Sequence, residues 1–190
     1  MALSKKTTDI SMLLRSSDYS SFANKESSIT YSFTIQNEDI TIVPEFWSGG
    51  AYDESIGGKR ISNLRGYRVK VDLNFDSSFE KTTRQLGNAT ATQSTFRALF
   101  NDLMYCFTNG EIIDNDRPFA GLNIRVKQSG GGDVAIYTDD SGANTFMNFV
   151  PEDMSYRQQY SNQIGRFIPR MSFVSETLMP NIPSGLEGVL

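Results

Sequence analysis

A chain of 190 residues is long enough for one domain with its own core and too short to make two the default. An apolar share of 38%, even with 15 glycines added, leaves little surplus for a compact globule, and a formal charge of −4 spread without long runs of one sign argues against nucleic acid as a main ligand. The chain has no histidine, which removes the base of Ser-His-Asp and Cys-His sites and the common zinc spheres.

In chain order, residues 1–28 are rich in Ser, Thr, Lys and Asp without sustained periodicity, the pattern of an arm that orders only on a partner. Ile29, Tyr31, Phe33 and Ile35 then alternate with polar residues as a strand, and Ile40 to Val43 predict a second strand that Pro44 should stop. Trp47 to Gly66, with Gly49-Gly50 and Gly57-Gly58, reads as a long exposed loop. The cleanest alternation follows, with Tyr67, Val69, Val71, Leu73 and Phe75 on one face of a strand.

Between Asn88 and Asn109 the period becomes helical, carried by Phe96, Leu99, Phe100, Leu103 and Phe107, with Thr92 or Ser94 as cap and Asn109-Gly110 as the left-handed stop. Further strands are predicted at Leu122 to Lys127, Val134 to Tyr137, Phe146 to Val150 and Arg166 to Val174. The expected fold is mainly β (α+β): an antiparallel β-sandwich or barrel-like domain over 29–174 with one amphipathic helix and extended terminal arms at 1–28 and 175–190. The helix should pack on the Tyr67 to Phe75 face. Both arms should lie outside the core, so that deleting 1–28 leaves the melting temperature nearly unchanged.

Few residues invite chemistry. Cys106 falls on the apolar stripe of the helix, where a free thiol is structural, and as the single cysteine it makes no internal disulfide. No basic-then-apolar leader opens the chain, so folding in a reducing cytoplasm is expected, and no run approaches the ~18 apolar residues of a membrane-spanning helix. The carboxylate pairs Asp114/Asp116 and Asp139/Asp140 are neighbours in turns, without the contrasting environments that acid–base work needs. Gly57-Gly58-Lys59-Arg60 fails as a phosphate loop because Asp53 stands where Gly is required and Arg60 replaces the Ser or Thr. No catalytic, metal-binding or cofactor-binding residue is nominated.

The local basic excess of Lys59, Arg60, Arg65, Arg68 and Lys70 overlaps a loop holding Phe46, Trp47 and Tyr52, a composition typical of protein interfaces. A solvated face, or a platform for nucleic acid or glycan, is the competing reading. The candidate interface residues are Phe46, Trp47, Tyr52, Lys59, Arg60 and Arg65, with Met12, Leu13 and Leu14 in one arm and Leu178 and Met179 in the other as apolar anchors.

The strand Gly66-Tyr67-Arg68-Val69-Lys70-Val71-Asp72-Leu73-Asn74-Phe75 and the helix Thr95-Phe96-Arg97-Ala98-Leu99-Phe100-Asn101 together resemble tail-associated structural proteins of tailed bacteriophages, over about Gly66 to Val174. The resemblance implies a non-catalytic virion component of the tail, connector or baseplate region. Such a protein would form a ring or adaptor with copies of itself and other virion proteins, assembled in the bacterial cytoplasm. The alternative is a β-sandwich carbohydrate-binding module with Trp47, Tyr52 and Tyr67 as a stacking platform.

Overall fold

The computed structural model describes residues 7–16, 28–36, 39–54, 60–75, 82–113, 116–127, 133–135, 148–161 and 164–176, with backbone alone at 44, 46–54, 60–67, 127, 133–135, 160–161 and 164–165. The strands are β1 (Thr7–Ser16), β2 (Ile29–Gln36), β3 (Ile40–Glu54), β4 (Arg60–Asn74), β5 (Thr82–Leu86), β6 (Thr92–Ser94), β7 (Glu111–Ile112), β8 (Arg117–Lys127), β9 (Asp133–Ala135), β10 (Phe149–Ser161) and β11 (Ile164–Ser175), with the helix α1 (Phe96–Asn109). Their order is β3-β4-β11-β10-β8-β1-β2-β5-β6, with β7 and β9 also on β8, and every pairing is antiparallel. The mainly antiparallel β fold with one helix is therefore as the sequence predicts.

The sheet cannot lie flat. β2 and β4 stand five steps apart in the strand order, which in a flat sheet is roughly 24 Å. Yet the rings of Phe33 in β2 and Phe75 just after β4 have centroids 5.5 Å apart. The two halves must face each other across a core, and the crease is visible in the pairing: β10 meets β8 at the single pair Phe149–Leu122. Helix α1 fills the space between the halves. Phe96 meets Phe75 at 4.4 Å and Phe33 at 5.4 Å, and Leu99, Phe100 and Leu103 join Val69, Val71, Leu73 and Phe75 in one apolar cluster, as the matched periods predict.

The helix starts later than expected. Its cap is Thr95, whose hydroxyl accepts from the Ala98 N–H at 3.2 Å, because Thr92 and Ser94 are already in β6; Gly110 ends it with φ 72°, a left-handed position.

Four expectations need correction, the first being that Pro44 stops the second strand: β3 runs through it to Glu54, with Pro44 opposite Val69. Thr7–Ser16 is no arm: β1 pairs with β2 on one side and β8 on the other, and Met12, Leu13 and Leu14 are 0%, 2% and 0% exposed. Met12 and Leu14 point into the core cluster while Leu13 is buried outside it, so the strand is covered on both faces and shows no alternation. Nor is Trp47 to Gly66 a structureless loop, since Ile40–Glu54 and Arg60–Asn74 pair along a long hairpin broken by register shifts at Trp47/Ser48 and Ser48/Tyr52. At the other end, Ser175 belongs to the domain, buried with its Oγ accepting from the Val69 N–H at 3.0 Å.

Asn148, at the start of β10, fastens the crease. Its Oδ1 accepts from Arg15 (2.7 Å) and from Asn123 Nδ2 (3.2 Å), and its Nδ2 donates to the Ala120 carbonyl (3.3 Å) and to Glu176 (3.2 Å). Gly121 lies against it with φ 141°, and a Cβ there would fall 2.5 Å from Asn148 Cγ. An amide held by this many partners cannot step aside, so Gly121→Ala is expected to cost about 1–3 kcal/mol and to lower the melting temperature by roughly 2–10 °C in a calorimetric scan.

Candidate functional site

The nominated interface residues fall in three groups. Met12, Leu13 and Leu14 are core and cannot anchor a partner from outside. Phe46, Trp47, Tyr52, Arg60 and Arg65 lie in the β3–β4 hairpin, where Phe46 pairs with Tyr67, Trp47 with Gly66, Tyr52 with Ser62 and Glu54 with Arg60, while the shift after Trp47 passes over Arg65. Their side chains, and all of Lys59, Leu178 and Met179, lie outside the described residues, as do Asp114, Asp139 and Asp140.

A surface the sequence did not single out stands at the β10–β11 hairpin. The two strands pair from Phe149–Ser175 to Ser161–Ile164, but β4 follows β11 only from Arg170 to Val174. From Tyr156 and Pro169 outward, the hairpin is a ribbon with no further strand beside it among the described residues. Ser155, Tyr156, Arg157, Gln158 and Gln159 are all exposed, on both faces of the ribbon. The ribbon is tied down by aromatic contacts: Tyr156 stacks on Phe167 at 4.8 Å, both rings meet Phe100 edge-on at 5.6 and 5.7 Å, and the Arg97 guanidinium lies 5.3 Å over Phe167. Tyr156 remains 56% exposed and Met104, one helical turn past Phe100, 40%. The polar stretch Ser155-Tyr156-Arg157-Gln158-Gln159 has no apolar alternation, and no strand is predicted from sequence between Val150 and Arg166.

On the sheet face away from the core, at the base of the same hairpin, Asp39, Thr41, Lys70, Asp72, Glu152, Asp153, Arg170 and Ser172 line a groove of about 580 Å³. Lys70 Nζ is 2.6 Å from Glu152 Oε2, and the Ser172 hydroxyl donates to Asp72 and, at 3.3 Å, to Glu152. The Lys70 hydrogen bond is the main cause that lowers the Glu152 pKa below its ordinary 4.5, and the bond to Glu152 raises that of Lys70. Because the Glu152 value falls on folding, its contribution to stability is present above the ordinary carboxylate range and is lost as pH drops through the lowered value.

Inside the fold, the Asp102 carboxylate accepts from the Tyr31 hydroxyl at 2.6 Å and from Arg84 Nε at 3.0 Å, and Arg84 also reaches the Tyr31 oxygen at 3.1 Å. Burial, with the Asp102 hydrogen bond next, pushes the Tyr31 phenol well above its ordinary value. The cluster joins the helix, β2 and β5. Its sequence signal was available: Asp102 stands within the apolar arc of the helix, three residues after Leu99 and four before Cys106, where a carboxylate needs a buried partner.

Cys106 is fully buried, and burial raises its thiol from 9.0 to about 11. Native protein at pH 8 is therefore expected to react with a thiol-specific disulfide reagent at least about tenfold more slowly than urea-unfolded protein, since the thiolate is the reacting form; equal rates would show an open thiol. Among the described residues no His, Cys, Asp and Glu side chains group in threes to hold a metal ion, and no helix is long and apolar enough to cross a membrane. The chain matches no protein-family profile, and a search of curated proteins returns no match.

Proposed function

We propose that the chain is a structural subunit that works by binding further copies of itself and neighbouring proteins in a larger assembly, a virion component of the tail, connector or baseplate type that its strand and helix pattern resembles. The observation that carries this reading is the β10–β11 ribbon. A two-stranded hairpin is marginal in water, yet among the described residues this one extends past the sheet, with β10 exposed on both faces from Ser155 to Gln159 while Ile168 and Pro169 of β11 are buried. A monomer gains little from such a projection, whereas a subunit gains a contact surface of Tyr, Arg and Met, the types that dominate binding energy at interfaces. Two polar side chains are engaged structurally: Asp102 holds the helix to the sheet, and Cys106 is sealed in the core.

Native mass spectrometry of the full chain across a concentration series tests the proposal. Masses at multiples of the 21.2 kDa chain are expected. A protein that stays monomeric at its highest soluble concentration and instead gains mass on adding glycans would favour the carbohydrate-binding reading.

A further inference from the structure

The self-assembly reading leaves open what the ribbon binds. Between Tyr156 and Pro169 the ribbon carries two arginines, Arg157 and Arg166, the second reaching the Phe75 carbonyl at 3.4 Å, and no carboxylate, in a protein whose formal charge is −4. The ribbon is thus a basic arm on an acidic body. It runs from the Tyr156–Pro169 pair to the Ser161–Ile164 pair, a reach of roughly 17 Å.

The groove on the outer sheet face has the opposite character. Asp39, Asp72, Glu152 and Asp153 face Lys70 and Arg170, four carboxylates against two cations, and Asp153 is exposed at its rim. Because Glu152, Asp153 and Arg170 stand at the root of the hairpin, a straight ribbon leads its tip away from this groove. The arm of one molecule cannot fill the groove at its own base. The groove of another molecule is free of that restriction, and charge of opposite sign favours and orients the encounter.

We propose that the β10–β11 ribbon of one copy docks in the Asp72–Glu152–Asp153 groove of a second copy. This contact rests on the self-assembly reading and refines it. It joins two different surfaces of the same chain, so it is head-to-tail: each subunit offers an arm to one neighbour and a groove to the other. Repetition closes a ring where the rotation permits and otherwise extends a filament. Being ionic at its rim, the contact weakens with added salt.

The test uses two full-length variants altered at exposed positions, R157E/Q159E on the arm and D153K on the groove, with self-association read by sedimentation velocity and folding by thermal melts. Each variant alone is expected to associate at least about tenfold more weakly than the wild type, and an equimolar mixture of the two to recover assembly, because the reversed arm then meets the reversed groove. Wild-type-like assembly by R157E/Q159E would overturn the docking while leaving self-assembly intact. Loss in the arm variant without recovery in the mixture would place the arm on another surface and reject the groove. A monomeric wild type would remove the self-assembly reading itself, and this contact with it. Should a charge reversal lower the melting temperature, the exposed pair Q159C with D153C decides instead: oxidation should link separate chains into a ladder on a denaturing gel, and its absence in an assembling protein rejects the contact.

Discussion

Deleting residues 1–28 is expected to leave a chain with no cooperative unfolding transition, the reverse of what an arm outside the core would give. The strand Thr7–Ser16 stands between β2 and β8 and is hydrogen-bonded to both, so its loss opens two new edges in the middle of the sheet. It also removes Ile10, Met12, Leu13 and Leu14, each 2% exposed or less. Truncating one such side chain to Ala costs about 2–5 kcal/mol, and four together cost roughly 8–20 kcal/mol, as much as the roughly 5–15 kcal/mol that holds a domain, before the lost strand pairing is counted. Circular dichroism melts and amide proton spectra of the truncated chain check this. A sharp transition within a few degrees of the full chain would show that β1 is dispensable and that the sheet closes without it.

Replacing Asp102 by Ala is expected to destabilise the fold by roughly 2–4 kcal/mol, lower than for a fully enclosed ion pair because the side chains of Arg84 and Asp102 keep 23% and 10% exposure. The substitution takes the acceptor from a Tyr31 hydroxyl that has no access to water and the countercharge from Arg84. Tyr31→Phe in the wild type should cost about 1–2 kcal/mol, since Asp102 then loses its shortest hydrogen bond. In the Asp102→Ala background the same change should cost less, because the buried hydroxyl has lost the acceptor for its proton and keeps only the contact from Arg84. Denaturant melts of the four proteins give the coupling directly, and additive losses would show that the two groups do not act as a unit.

How much of this was legible follows from how each element is covered. The β4 strand was readable because its two faces differ: Val69, Val71 and Leu73 are buried, while Arg68, Lys70, Asp72 and Asn74 are only half so. Helix α1 was readable for the same reason at a different period, with Phe96, Leu99, Phe100 and Leu103 inside and Arg97, Asn101 and Met104 outside. Its late start was not, because Thr92, Ser94 and Thr95 are all good caps in isolation and only the pairing of β6 with β5 removes the first two. The groove and the ribbon contact face were not legible at all. Asp72, Glu152 and Ser172 are far apart in the chain and meet only because β4, β11 and β10 are neighbours in the sheet.

Legible in the residues alone was the fold class: alternating strands, one amphipathic helix with a glycine stop, and a chemistry without histidine in which the single cysteine falls on an apolar stripe. These are local properties, set by side-chain periods of 2 and 3.6 and by what each residue type can do with a proton or a metal. The tertiary structure decided which segments are core and which are surface. Met12-Leu13-Leu14 looked like a sticky end and is the middle of the sheet, and the polar stretch after Val150, which showed no strand signal, is a strand. The physical reason is common to both. A strand buried on two faces, or exposed on two faces, has no alternation to announce it, and its state is fixed by partners that are distant in sequence.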